Sequence, residues 1–94
     1  DEELLLRAEA ALTGDNPRRA ARLLDAAEIQ TTPRWLLLRG KACMALGEYA
    51  DAVSWLKSAE GTYPEQVIPK LELCYRELKD YQNAYLYACK QKGS

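Results

Sequence analysis

The chain has 94 residues, of which 48% are hydrophobic and 29% are charged, a composition typical of one globular domain. Thirteen Lys and Arg residues against fourteen Asp and Glu residues give a net charge of -1. Without excess positive charge there is no long-range attraction for nucleic acid or anionic lipid, so neither is an expected partner. No stretch approaches the roughly 20 consecutive apolar residues that a membrane-spanning helix needs.

The residue types at the N-terminus and the cysteines restrict the location and the chemistry. Asp1 to Glu3 are acidic and precede no long apolar segment, so no secretory signal is predicted and a cytoplasmic location is expected. Cys43, Cys74 and Cys89 form no C-x-x-C pair, and the sequence contains no histidine, so no metal site is predicted. The three cysteines are expected to be small buried residues on helices.

Comparison of the sequence with itself shows a repeat of about 32 residues. The segment 4–7 recurs as 36–39, and the clearest column consists of Ala20, Ala52 and Ala84. A fixed period of this size is typical of arrays in which each unit buries the apolar face of its neighbour. The sequence therefore predicts a single domain over residues 1–94 with three units, at about 1–32, 33–64 and 65–94.

Turn residues divide each unit into two helices. They lie at 13–17, 46–48 and 78–80 near the middle of each unit. Apolar residues recur at helical spacing, as in Val53, Leu56 and Ala59, and strict alternation is absent. Because Pro69 is tolerated only near a helix start, the fifth helix should begin near 64–66 or be kinked. The pattern predicts an all-α domain of six helices, at about 2–13, 17–29, 33–46, 49–60, 66–78 and 81–91.

A repeated antiparallel helix pair with small residues at fixed positions resembles the tetratricopeptide repeat (TPR) family. The match extends over the whole chain and is best in the middle unit, at Gly40, Gly47, Glu48, Tyr49, Ala52, Leu56, Ala59 and Pro64. The resemblance implies an α-α superhelix, or solenoid, of three helix-turn-helix repeats. The family's usual period is 34, and Arg7, Arg39 and Glu72 replace its usual residue types. Other arrays of helical hairpins and an unrelated bundle therefore stay open as alternatives.

The same resemblance implies a protein-protein interaction module whose concave groove binds a partner peptide or helix. The groove would be formed by the first helix of each unit, with candidate residues Leu5, Glu9, Leu12, Arg34, Leu37, Lys41, Met44, Leu73 and Arg76. Some members hold a peptide's terminal carboxylate with Lys, Asn and Arg side chains. The corresponding positions here bring Leu38, Lys41, Lys70 and Leu73, so a carboxyl-terminal tail is not the expected ligand. The alternative for the groove leucines is that several of them pack in the core.

Tyrosines crowd the last unit and suggest a second candidate surface. Helical spacing predicts that Tyr81, Ala84, Tyr85 and Ala88 face the fifth helix, which leaves Leu86, Tyr87 and Lys90 as a candidate terminal interface. No polar capping helix follows in this sequence. Either the tyrosine hydroxyls solvate this end, or it binds another chain, which makes a homodimer possible. The alternative function is a self-associating or regulatory segment of a larger multidomain protein that uses this end as its interface.

No pattern of residues predicts catalysis. There is no histidine, no glycine-rich phosphate loop and no nucleophile elbow, so no enzyme activity, catalytic residue or cofactor is expected. Arg7 and Arg39 are expected to lay their aliphatic stems along the core and to hold a carboxylate or water, with Glu28 and Glu60 as candidate partners. The one dense basic cluster lies at residues 18–22 and is interpreted as a solvated helix face.

Overall fold

The computed structural model describes residues 2–93 and the side chains of residues 2–91, and within this part of the chain it contains six helices and no strand. The helices are α1 (Glu2–Thr13), α2 (Pro17–Asp25), α3 (Pro33–Ala45), α4 (Tyr49–Ala59), α5 (Pro64–Glu77) and α6 (Tyr81–Gly93). The predicted all-α class is confirmed. The predicted unit ends at residues 1 and 94 lie outside the described residues.

Consecutive helices pack as three hairpins. The closest packing is within the pairs α1–α2, α3–α4 and α5–α6, while α2–α3 and α4–α5 contacts join one pair to the next and α1 also touches α3. Three residues connect the helices of each pair, and so short a link between helices that pack on each other makes them antiparallel. The predicted division into helix pairs is confirmed.

The turn inside each pair has the same backbone conformation at an interval of 32 residues. Asp15, Gly47 and Lys79 have positive φ angles of 62°, 80° and 62°. The amide of the following residue donates to the carbonyl five residues back at 2.8 Å in all three turns, to Ala11, Cys43 and Tyr75. This is the Schellman ending of a helix, in which one left-handed residue reverses the chain. The repeat found in the sequence is therefore also a repeat of local structure.

Small residues let the helices of a pair approach closely. Ala20 and Ala52 are fully buried and Ala84 is 7% exposed, as the sequence column predicts. A Cβ placed on Gly40 in α3 would lie 2.7 Å from two side-chain carbons of Leu56 in α4. Since Leu56 is itself fully buried, it has no free space into which to move.

Helix α2 ends at Asp25, four residues earlier than the periodicity predicts. The indole N–H of Trp35 donates to the Leu24 carbonyl at 2.7 Å. It replaces the backbone N–H that would donate to this carbonyl if the helix continued. The side-chain amide of Gln30 donates to the carbonyls of Asp25 and Ala27. These side chains satisfy the last carbonyls of α2, so the helix can stop without unpaired buried groups.

Two clusters of buried side chains form the core. One combines residues of the first pair with Trp35, Leu38 and Ala42 of α3, and the other combines α3 and α4 with the third pair. Trp55 packs against both clusters and meets Trp35 edge-to-face, with ring centroids 5.2 Å apart. No polar or charged side chain is buried among the described residues. The core is thus apolar and continuous across the three pairs.

We expect Gly40→Ala to destabilise the protein. Alanine gains about 1 kcal/mol over glycine in a helix, but overpacking against Leu56 costs about 1–3 kcal/mol. The matched control is Gly61→Ala, where nothing lies within 4 Å of the added methyl group. Thermal unfolding of both variants measures the difference. Equal midpoints would contradict the close approach of α3 and α4.

Candidate functional site

A shallow depression of about 400 Å³ lies where the first helices of all three pairs meet at the surface. It is lined by Leu12 of α1, by Lys41, Met44 and Ala45 of α3, and by Lys70 of α5. Three of its five lining residues, Leu12, Lys41 and Met44, are candidate groove residues from the sequence. We call this surface the central depression.

Two positive charges and no carboxylate line the central depression. Lys41 donates weakly to the side-chain carbonyl of Gln66, with Nζ and Oε1 3.5 Å apart. Burial lowers the pKa of Lys70, and the like charge of Lys41 lowers it further. The folded protein therefore holds two ammonium groups close enough to repel each other beside apolar surface. An anionic group placed between them would relieve that repulsion.

The apolar candidates for the groove divide into accessible and inaccessible residues. Leu5, Leu12 and Met44 are half-buried, and Leu73 is exposed. Leu37 is only 4% exposed and belongs to the core, so a partner cannot contact it. Its inclusion in the groove has to be corrected, because the α3 face that carries Leu37 packs on the core cluster shared with the third pair.

Most of the remaining charged candidates are neutralised by partners within the chain. Arg34 lies 3.8 Å from Glu9, which links α3 to α1. Arg76 pairs with Glu72 one turn earlier in α5. Arg39 pairs with Asp25 at 3.4 Å, rather than with the predicted Glu28 or Glu60. Lys41 is therefore the only candidate groove cation in this part of the chain without an ion pair within 4 Å.

Lys70 is not among the groove residues predicted from the sequence. With a period of 32, Lys70 occupies the position of Leu6 and Leu38, where an aliphatic side chain is expected. That position is 1% exposed at Leu38 but half-buried at Lys70. A lysine at a position where the other two units have leucine was the feature of the sequence that could have identified Lys70 as a groove residue.

The candidate terminal interface is only partly accessible. Tyr87 is 7% exposed: its ring stacks on Tyr75 at 5.6 Å, and its hydroxyl donates to Glu60 at 2.9 Å. Lys90 donates to the other carboxylate oxygen of Glu60 at 3.0 Å and lies over the Tyr87 ring. Of the three predicted residues, Leu86 is the accessible apolar one, 51% exposed. The expectation that Tyr87 faces away from α5 is wrong.

The exposed face of α6 instead carries Tyr81 and Tyr85, which are 63% and 69% exposed. Together with Leu86 they form what we call the terminal face. At an offset of 32, Tyr81 and Tyr85 correspond to Tyr49 and Val53 of α4, which are half-buried against the core cluster shared with the third pair. The two tyrosines of the terminal face thus occupy positions that are half-buried on α4, and nothing among the described residues covers them.

The cysteines show no arrangement for chemistry. Burial raises the pKa of Cys43, and it raises the pKa of Cys74 to about 11, aided by nearby Cys43 and Glu77. Cys89 is exposed, contrary to expectation. Within residues 2–93 no group of three or more Cys, Asp or Glu side chains is placed to ligate a metal.

No helix described in this structure combines the length and the apolar character needed to cross a membrane.

Comparisons with models of protein families, with curated proteins and with solved structures found no match to this chain.

We expect Glu60→Gln to lower the stability of the fold by about 1 kcal/mol or less at neutral pH, because the amide keeps an acceptor for Tyr87 but loses the charge that holds Lys90. Burial by itself raises the pKa of Glu60, but the hydrogen bonds from Lys90 and Tyr87 and the Lys90 charge outweigh it, so the pKa lies below the usual 4.5. Such a group stabilises above its unfolded pKa, and this stabilisation is lost as pH falls through the lower folded pKa.

The measurement is thermal unfolding of wild type and variant from neutral pH down past the usual glutamate pKa. The difference between the two midpoints should shrink as pH falls. The exposed glutamate outside this network, changed as Glu77→Gln, is the control and should show no such convergence. A constant difference for Glu60→Gln would show that the carboxylate charge contributes nothing here.

Proposed function

We propose that this chain is a protein-interaction module, a TPR-like array of three helix pairs that binds a partner peptide or helix in the groove of α1, α3 and α5. The observation that carries the proposal is the central depression. One helix from each pair contributes to it, and its lining combines apolar side chains with two cations that have no carboxylate partner. Catalysis, a metal and a cofactor have no part in the proposal.

The lining of the central depression defines the chemistry of the partner. Leu12 and Met44 offer half-buried apolar surface, which suits one aliphatic or aromatic side chain. Lys41 and Lys70 suit an acidic side chain beside it, since a carboxylate would reduce the repulsion between the two ammonium groups. A partner segment with an apolar residue next to Asp or Glu therefore fits. The shallow shape favours modest affinity and contacts that extend along α1 and α5.

We expect Lys41→Glu with Lys70→Glu to weaken such a partner by about 10- to 100-fold, or roughly 1.4–2.8 kcal/mol, because both attractive charges become repulsive. The probe is a peptide selected from a displayed library against the wild-type chain. Its affinity for wild type and variant is measured by fluorescence anisotropy. The selected sequences should place acidic residues beside apolar ones.

The matched control is Lys57→Glu with Lys79→Glu, which makes the same change in net charge on exposed positions outside the depression. The variant Lys70→Gln separates binding from stability. Relief of the repulsion with Lys41 should leave its unfolding midpoint unchanged or raised while its affinity falls. Equal affinity for wild type and the Lys41/Lys70 variant would refute the groove proposal.

A second candidate function is self-association, or a regulatory role within a larger protein, through the terminal face. The observation that favours it is the exposure of three large side chains, Tyr81, Tyr85 and Leu86, of which the two tyrosines lie at positions whose α4 equivalents, Tyr49 and Val53, are half-buried. Tyrosine is enriched at protein interfaces because it combines a large apolar area with a polar tip. A second copy that packs α6 against α6 would cover this face in a closed dimer.

Under this second candidate we expect the mass in solution to rise with concentration toward two chains. Tyr85→Glu with Leu86→Glu should restore a single-chain mass, since charge on the terminal face opposes burial. Light scattering across a concentration series measures this. Leu6→Glu is the matched control, because Leu6 is a similarly exposed leucine in the first pair. A mass of one chain at every concentration would exclude self-association and leave the groove proposal unaffected.

A further inference from the structure

A second depression, of about 450 Å³, lies on α2 and shares no residue with the central depression. Its lining comes from the turn before α2, from α2 and from the residue that follows it: Asn16, Arg18, Arg19, Arg22, Leu23 and Ala26. Three of the six lining residues are arginines and none is acidic. We call it the arginine depression.

The arginines of this depression differ from every other arginine in the chain. Arg7, Arg34, Arg39 and Arg76 each lie within 4 Å of a carboxylate. Among the described residues, no carboxylate lies that close to the three arginines at 18, 19 and 22. Their positive charge is therefore available to a group from outside the chain.

Helix stability does not explain why Arg18 and Arg19 occupy their positions. Arg18 and Arg19 follow Pro17 in the first turn of α2, at the end where the helix dipole is positive and where cations are unfavourable. The first turns of α1, α4 and α5 carry acidic residues, whereas those of α2, α3 and α6 carry none. The helix dipole therefore opposes Arg18 and Arg19, which have no carboxylate partner, whereas it favours Arg22 in the last turn of α2.

We infer that the arginine depression binds a short acidic segment of a partner protein. Guanidinium groups hold carboxylates by paired hydrogen bonds, and three of them within about one helical turn suit two or three acidic side chains. Leu23 is half-buried and Ala26 exposed at the same depression, which gives apolar contact beside the charges. A nucleic acid would meet only this local cluster on a chain whose net charge is -1, so the charge balance favours a short peptide.

The test compares the wild-type chain with the triple variant Arg18→Gln, Arg19→Gln and Arg22→Gln. The probes are fluorescein-labelled oligoglutamate, oligoglutamine and oligothymidine of equal length, and binding is measured by anisotropy at several salt concentrations. We expect oligoglutamate to bind the wild-type chain and the triple variant to weaken it by about tenfold, with a smaller dependence on salt. Oligoglutamine should not bind. The variant should be about as stable as wild type, since it removes two unfavourable cations from the first turn of α2 and one favourable cation from the last turn.

Two control variants make the result specific. Arg7→Gln with Lys57→Gln and Lys79→Gln loses the same positive charge elsewhere and should retain binding. Lys41→Glu with Lys70→Glu alters the central depression and should also retain most of it, so failure of this inference is distinguishable from failure of the groove proposal. Three outcomes would overturn the inference. The first is an equal loss of oligoglutamate affinity in both triple variants, and the second is a loss confined to the Lys41/Lys70 variant. The third is tighter binding of oligothymidine than of oligoglutamate.

Discussion

The turn inside each helix pair fixes the direction in which the second helix leaves the first. Asp15, Gly47 and Lys79 adopt the same left-handed conformation and close the same hydrogen-bonded turn. Only Gly47 does so without a steric penalty, since a side chain in this conformation costs about 1–2 kcal/mol. The first and third pairs accept that cost because the turn brings small residues such as Ala20 and Ala84 against the facing helix, where they are buried.

Once the pairs are set, the contacts between them decide which helix faces are accessible. Trp55 packs against both core clusters and meets Trp35, so the junction of the first two pairs is aromatic and dry. The junction on the side of α6 is made differently, by Tyr87 stacked on Tyr75 and tied to Glu60. That anchoring rotates α6 so that Tyr87 points inward, which leaves Tyr85 on the outside.

Features that depend on neighbouring residues could be predicted from the sequence, and features that depend on distant contacts could not. The six helices and the 32-residue period follow from turn residues and apolar spacing, and five of the six helix starts were placed to the residue. The end of α2 depends on Trp35, eleven residues beyond Leu24, and no local pattern indicates it. The orientation of α6 depends on Glu60 in the same way, and for that reason the roles expected for Tyr85 and Tyr87 were exchanged. Of the residues that line the central depression, Leu12, Lys41 and Met44 were predicted. Lys70 was not predicted, because it aligns with leucines in the other two units.

Among the described residues, some cations pair with a carboxylate on or beside another helix and so help to maintain the fold, whereas others have no carboxylate partner within 4 Å. Arg39 lies partly buried along the core and pairs with Asp25, which ties α3 to the end of α2. Lys90 likewise ties α6 to the end of α4 through Glu60. An exposed ion pair contributes only about 0–1 kcal/mol, so the stability of the fold does not require a carboxylate beside every exposed Lys or Arg. Of the seven described cations that have no carboxylate within 4 Å, five line the two depressions beside half-buried apolar side chains, whereas Lys57 and Lys79 lie elsewhere on the surface. Lys41 opposes Lys70 in the central depression and the helix dipole opposes Arg18 and Arg19 in the arginine depression, so in both places an added anionic group would relieve a repulsion.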